Sequence, residues 1–359
     1  MTKPDRLLSL DVFRGITIVA MLIVNDPGSW SYIYSPLEHA SWHGCTPTDL
    51  VFPFFLFIVG VSVSLSLKKV RYEKQHHSSR IGHIIKRSII LFGIGLFLNA
   101  FPFFHLESIR IPGVLQRIAI VFLVCAVLFL KTSWKSQVII SIIVLLLYWL
   151  LMAVLPMSYN QNLLPGDNLA AHIDAYFLSG HMWSSTKTWD PEGLMSTFPA
   201  IVTGIIGMLA GQWLQLKQSK ETMVIGLFVV GNVLIVLGLF WDMAFPINKS
   251  LWTSSYVLYS GGIALNFLAI LYWLLDVKRW RGKGWLIFKA FGVNAIFAYI
   301  FGVLLSYGFG YTIQVPFFRW LKTITGNPEL SSLIYALFFV GVTFIPVWVL
   351  YKRRIFLKV

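Results

Sequence analysis

Three consecutive stretches set the reading of this chain: LDVFRGITIVAMLIV (Leu10–Val24), NDPGSWSYIYSPLEHASWHGCTPTD (Asn25–Asp49) and LVFPFFLFIVGVSVSLSL (Leu50–Leu67). The outer two are apolar runs that can enter a bilayer as helices. The middle stretch has no Lys or Arg, yet it collects Asn25, Asp26, Glu38, His39, His43 and Asp49 among aromatics and turn formers. Such a set is more than a connector needs merely to reverse the chain. It has groups able to polarise a carbonyl, take a proton and orient a base.

The same pattern of apolar runs recurs along all 359 residues. The chain is 57% hydrophobic and only 12% charged, with a mean hydropathy of +0.73. Soluble domains carry roughly a quarter charged residues, so an all-α, polytopic membrane protein is expected, built as a single transmembrane domain over residues 1–359. Ten spans are expected, at about 10–27, 47–67, 83–102, 112–131, 136–156, 195–214, 223–242, 252–274, 285–306 and 331–351. No small-residue cleavage site follows the first apolar run, which reads as a retained helix and not a signal peptide. Cys45 and Cys125 offer neither a disulfide framework nor a metal pattern.

A net charge of +14 invites a nucleic-acid reading, but its distribution excludes one. With the N-terminus inside, 21 of the 29 Lys and Arg fall in cytoplasmic segments, among them Lys3, Arg6, Lys74 and Lys358. Five fall outside (Arg110, Lys187, Lys249, Arg319, Lys322) and three within helices (Arg14, Arg117, Lys289). That split is a positive-inside signal. It places both termini in the cytoplasm and the Asn25–Asp49 stretch on the outer face. A second outer segment, 156–194, adds His172, Asp174, His181, Asp190 and Glu192.

Each polar group in the first stretch has a structural and a chemical reading. His39 is either an interfacial histidine beside Trp30, Tyr32, Tyr34 and Trp42, or a general base or acyl carrier. His43 lies four residues on, but no third ligand completes a metal site. Asp49 in Thr46-Pro47-Thr48-Asp49 starts a helix as its N3 acid, and the same carboxylate can orient His39 as the acid of a triad does. Asn25 ends the first helix before Asp-Pro-Gly and can cap it or donate to an oxyanion. Asp11 and Arg14 are spaced as an ion pair. Arg117, buried in the fourth span, calls for an acid such as Asp49 or Asp242, or for an anionic group of a ligand. Lys289 can snorkel to the inner surface.

Several blocks together resemble the heparan-alpha-glucosaminide N-acetyltransferase family of transmembrane acyltransferases. They are SLDVFRG (Ser9–Gly15), VNDPGSW (Val24–Trp30), LEHASWHGCTPTDLVFPFFLFIVG (Leu37–Gly60), RIPGVLQR (Arg110–Arg117), WDPEGLMSTFPAIVTGIIG (Trp189–Gly207), FPINKSLWTSSYVL (Phe245–Leu258) and FGVNAIFAYI (Phe291–Ile300). The resemblance implies acetyl transfer from cytosolic acetyl-CoA, through the bilayer, to an amino sugar on the far side. It puts the family's essential histidine on His39 and its asparagine on Asn25. The connection between them is a few residues longer here than in the animal enzymes, and His43 stands where those have Asn. Both differences bear on substrate choice more than on chemistry. The lumenal N-terminal domain of the animal enzymes is not expected, which suggests the compact bacterial form in the inner (cytoplasmic) membrane.

These lines combine into one expectation. Asn25, His39 and Asp49 carry the chemistry. Arg14, Lys289 and Arg117, with the Lys68/Lys69/Arg71 cluster, hold the co-substrate acetyl-CoA, and no metal is required. The partners expected are acetyl-CoA, an amino-sugar or other amine acceptor and lipid, with no nucleic acid and with room for a homodimer. The competing expectation is a secondary transporter of an amino sugar or amphiphile, because ten spans with intramembrane charge also suit that class.

Overall fold

The computed structural model describes residues 7–72, 77–154 and 163–357, with Tyr72 and Tyr311 by backbone only. Lys3, Arg6, Lys74, Lys358 and the end of the fifth expected span lie outside the described residues. Twelve α-helices account for the spans: α1 Leu8–Asn25, α2 Val51–Tyr72, α3 His77–Ala100, α4 Val114–Lys131, α5 Trp134–Trp149, α6 Leu169–Leu178, α7 Leu194–Trp213, α8 Lys220–Asp242, α9 Ser254–Tyr272, α10 Trp285–Val293, α11 Ala295–Thr325 and α12 Pro328–Lys352. There is no strand among the described residues. Among the described residues, nine helical segments are long and apolar enough to cross a membrane, and α10 with the first part of α11, bent by 87°, counts as a tenth when the pair is taken as one span. Exposed side chains along α8 such as Val229, Val233, Val236 and Phe240 are apolar, as a lipid-facing surface requires.

Contacts gather the chain into two compact units. The first comprises residues up to Ala40, Thr46–Val51 and the chain from Phe267 onward. Its axis is α1 against α10. A Cβ on Gly15 would meet the Phe288 carbonyl at 1.7 Å, and one on Gly292 would meet the Asp11 carbonyl at 1.8 Å. Only glycine permits backbones that close, the small-residue packing usual between membrane helices. Asp276 accepts hydrogen bonds from the Leu8 and Ser9 N–H groups at 3.3 and 3.0 Å, satisfying amides that α1 leaves open at its start. At the α10/α11 break Asn294 is fully buried. Its amide donates to the Ile355 carbonyl, and its Oδ1 accepts from the Leu357 N–H. The polar backbone freed by the break therefore lies beside a side chain that also ties down the chain end.

The second unit holds Ser41–Cys45 and Phe52–Asn266. Helices α2 and α7 pack through Gly60, whose Cβ would strike the Gly204 carbonyl, and Gly207, whose Cβ would strike that of Phe57. Phe52, Leu56, Val121, Phe129, Ile205, Trp252 and Tyr256 fill the interior. At one end Arg71 donates to Gln212 Oε1 at 2.7 Å and to the Thr132 carbonyl at 2.9 Å. Of the expected Lys68/Lys69/Arg71 anion cluster, Arg71 is thus committed to the fold, while Lys68 and Lys69 remain exposed.

Candidate active site

Helix α1 stops where Asn25 meets Asp26-Pro27-Gly28, because proline cannot continue it and glycine ends it. Asn25 is exposed at the helix end and Asp26 is buried. The turn is bolted to α11 and α12. Gly28 N–H donates to the Ser332 carbonyl at 3.1 Å, Gln314 donates to the Pro27 carbonyl at 2.6 Å, and Ser332 Oγ accepts from the Ser29 N–H at 3.1 Å. A Cβ on Gly28 would lie 2.9 Å from both Ser332 Cα and Tyr335 Cβ, so the fit demands glycine. Burial pushes the Asp26 carboxyl up to about 7, with a Ser306 hydrogen bond opposing the rise. Asp26 also sits at the C-terminal end of α1, where the helix dipole disfavours a negative charge.

The chain then runs through a short 3-10 turn, Ser35–Leu37, to His39. Thr46-Pro47-Thr48-Asp49 forms a second 3-10 turn, Pro47–Leu50, that leads into α2, with Thr46 as N-cap and Asp49 closing a capping box. One carboxylate serves both expected purposes. Asp49 Oδ1 lies 2.6 Å from His39 Nδ1. Its Oδ2 accepts from the Ala40 N–H at 3.1 Å and the Thr46 N–H at 3.0 Å, with the Thr46 hydroxyl 3.1 Å away. The Asp49 side chain is 2% exposed and that of His39 48%. A carboxylate only accepts, so Nδ1 carries the proton and the basic lone pair of the neutral ring is on Nε2. This is an imidazole oriented by a buried acid, with its unprotonated nitrogen on the other side of the ring.

The structure gives the remaining site candidates unequal freedom. Arg14 Nη1 donates to the Gly292 carbonyl at 3.1 Å and lies 3.5 Å from Asp11, so it supports the α1–α10 packing. Lys289, part-way along α10, forms no ion pair with another described residue. Arg117 departs from the expectation of an acid partner. Its Nη2 donates to the Gly193 carbonyl and Ser196 Oγ, and its guanidinium lies 5.1 Å from the Trp252 ring centroid. It is 1% exposed, and its Nε and Nη1 have no hydrogen-bond partner among the described residues.

The acids Asp174, Asp190 and Glu192 are used locally. Arg110 binds Asp190 through two hydrogen bonds of 2.8 and 2.6 Å and also donates to Glu192. Burial alone would lower its pKa, but the two carboxylates outweigh that and raise it. Asp174, on the short α6, accepts from the Leu194 N–H at 2.9 Å and caps the start of α7. Burial raises its carboxyl to about 6, against the backbone donors. This latch holds Trp189, whose ring lies edge-on to Trp42 at 5.2 Å.

His43 belongs to the same unit as that latch and is held by a different kind of partner. The fully buried Asn248 donates through Nδ2 to the Trp42 carbonyl at 2.8 Å and lies 3.4 Å from His43 Nδ1. Gly44 N–H donates to the Ile247 carbonyl at 2.7 Å. An amide donor on Nδ1 leaves the proton of the neutral ring on Nε2. Burial lowers the His43 pKa, with Asp242 opposing. Asn248 is a residue that sequence reading did not single out. Its signal is the FPINKSLW block (Phe245–Trp252), which points to it only through the resemblance.

Residues 6–242 match the family described as heparan-alpha-glucosaminide N-acetyltransferase, catalytic. This chain belongs to that family. The chain is also 29% identical to heparan-alpha-glucosaminide N-acetyltransferase of Mus musculus, over 100% of this chain and 61% of that protein. For the Homo sapiens protein of the same name the figures are 29%, 99% and 60%. The chain thus spans about 60% of the length of the curated relatives it matches. Within the heparan-alpha-glucosaminide N-acetyltransferase match lie Asn25, His39, Asp49 and Arg117, while Lys289 falls beyond its end. No group of three or more His, Cys, Asp or Glu placed to hold a metal ion occurs among the described residues.

Proposed function

We propose that this chain is a membrane-embedded acyltransferase that moves an acetyl group from cytosolic acetyl-CoA to the amino group of a glucosamine-like amino sugar on the opposite face. The observation that carries the proposal is the 2.6 Å contact between His39 and a buried Asp49, inside the segment matched to the catalytic family. In this reading His39 Nε2 takes the proton of the attacking amine or carries the acetyl group itself. Asp49 fixes the ring and stabilises the imidazolium. Asn25 donates from its amide to the carbonyl oxygen as negative charge develops there. The net reaction converts an ammonium and a thioester to an amide, a free thiol and one released proton.

Both termini are read as cytoplasmic, in the inner membrane, with the His39 stretch outside. The eighteen residues of α1 rise about 27 Å at roughly 1.5 Å each, so a cytosolic donor must extend most of the way through the bundle. Lys289 is the first choice for its phosphates and Arg14, already engaged by Gly292, the second. The unmet Arg117 donors suit an anionic or carbonyl group of a ligand.

The α10/α11 break favours the transporter reading, because interrupted helices line substrate sites in that class. One experiment separates the two. Purified protein is given labelled acetyl-CoA and glucosamine, and the products are read by mass spectrometry. Labelled N-acetylglucosamine with release of free CoA supports the acyltransferase. Intact acetyl-CoA under every amine offered favours the transporter.

A further inference from the structure

Segment 156–194 reads from the sequence as lying outside the bilayer, yet the helix it contains is built inside out. Helix α6 packs on α7 and buries Ala170, Ala171, Asp174 and Leu178, which share one face. The buried face therefore holds the acid, which is engaged at the start of α7. The exposed residues are Ala175, Tyr176 and Phe177, with Tyr176 82% and Phe177 67% exposed. A helix surrounded by water turns its polar face outward, and α6 does the reverse. At ten residues it rises only about 15 Å against a hydrocarbon core of about 30 Å, so it is no span.

The turn between α3 and α4 has the same character. Phe103 is 76% exposed, and Phe104 and Leu106 are exposed too. The Phe104 ring lies 5.9 Å from that of Phe97. The turn thus extends the exposed apolar row Ile85, Ile89 and Phe97 of the membrane-length helix α3. The two pieces are joined within one unit. His181, just past α6, donates through Nδ1 to the Ile109 carbonyl at 2.9 Å, and the Ile111 N–H donates to the His181 carbonyl at 2.9 Å. At the start of α7, Leu194 and Phe198 are exposed as well.

We infer that α6 and the α3–α4 turn form a ledge embedded in the membrane–water interface, with Tyr176, Phe177, Phe103, Phe104 and Leu106 set among lipid. The partner is the glycerol and upper acyl region of the adjoining leaflet. Continuity with the apolar row of α3 identifies the occupant as lipid. The depth follows from the backbone. The turn leaves amide groups outside any helix, which the hydrocarbon core cannot satisfy, while aromatic rings on a non-spanning helix favour the interface. Through Asp174, whose carboxylate accepts from the Asp190 and Leu194 N–H groups, the ledge ties the Arg110–Asp190 latch to the bilayer surface.

The test is spin labelling of the full chain in phosphatidylcholine nanodiscs, at Tyr176→Cys, Phe103→Cys and, as the aqueous reference, Ser185→Cys. All three side chains are exposed, so labelling leaves the interior intact. Unsubstituted protein supplies the background from Cys45 and Cys125. Collision rates are read with oxygen, which concentrates in lipid, and with a neutral nickel chelate, which stays in water. Oxygen collisions should exceed nickel collisions at both ledge positions, and the order should reverse at Ser185. The same order at all three positions, or a water-like order at either ledge position, overturns the inference. Suppression of both reagents at either ledge position also overturns it, because a second copy of the chain or another protein would then cover the ledge in place of lipid.

Discussion

His39 and His43 are four residues apart in sequence, yet the fold gives them opposite chemistry. The Nδ1 of His39 meets a buried carboxylate at 2.6 Å. That of His43 faces the amide of Asn248 at 3.4 Å. A carboxylate draws the proton to Nδ1 and makes Nε2 the base, whereas an amide donor leaves the proton on Nε2. Burial also lowers the pKa of His43. Residue type and spacing alone therefore cannot tell the two histidines apart; the partner of Nδ1 does.

The widest gap expected from this contrast is in turnover. His39→Ala should lose about 10²–10⁴-fold in acetyl transfer, the usual contribution of a general base. His43→Ala should keep most activity, both judged in protein that inserts and elutes as wild type does. Equal losses in the two variants would erase the distinction. Asp49→Asn should fall between them, because the ring stays in place but an amide can donate to Nδ1 and reverse its tautomer. A pH–rate profile displaced in Asp49→Asn, beyond a simple fall in kcat, would tie the loss to the imidazole and not to the capping box.

Charge reversal at Lys289 should raise the KM for acetyl-CoA by about 10-fold or more, as expected for a lost charge-assisted contact, with the acceptor KM nearly unchanged. Arg14 should respond less cleanly, because its bond to the Gly292 carbonyl means that reversal also disturbs the α1–α10 packing. Unaltered acetyl-CoA kinetics in both variants would move the phosphate site elsewhere.

The smallest effect concerns Asp26, the neighbour of Asn25. Its carboxyl is raised from 3.8 to about 7 in the fold, so the folded state binds its proton more tightly than the unfolded state does. The resulting stabilisation is complete below about 3.8 and is lost as pH rises to about 7, above which burying the charge carries its full cost. Asp26→Asn removes that dependence. Its melting temperature in detergent should exceed that of wild type at pH 8, and the gap should narrow at pH 5. A gap that is constant across this range would mean that Asp26 does not titrate there.

Much of the architecture was legible because apolar runs of bilayer length have few other uses. Nine of the ten expected spans have a single helix, the ninth (285–306) falls on the bent pair α10 and α11, and Asp-Pro-Gly after Asn25 ends α1 as proline and glycine dictate. The Thr46-Pro47-Thr48-Asp49 turn was legible for the same local reason. Contacts between residues distant in sequence were not. Asn294 looks like one amide in an apolar run, and the 87° bend accompanies its bonds to Ile355 and Leu357, more than sixty residues on. The pairing of Arg110 with Asp190 joins residues 80 apart. Arg117 shows the limit of charge reasoning, since within the protein it takes a carbonyl and a hydroxyl where an acid or a ligand's anionic group was expected.

The most direct test of the account is the tautomer of each ring. The protein is labelled with ¹⁵N-histidine and studied by solid-state NMR at a pH where both rings are neutral. His39→Ala and His43→Ala supply the assignments. His39 should carry its proton on Nδ1, with an unprotonated Nε2, and His43 should show the reverse. An unprotonated Nδ1 on His39 would contradict the account, because Asp49 would then not be presenting Nε2 as the base.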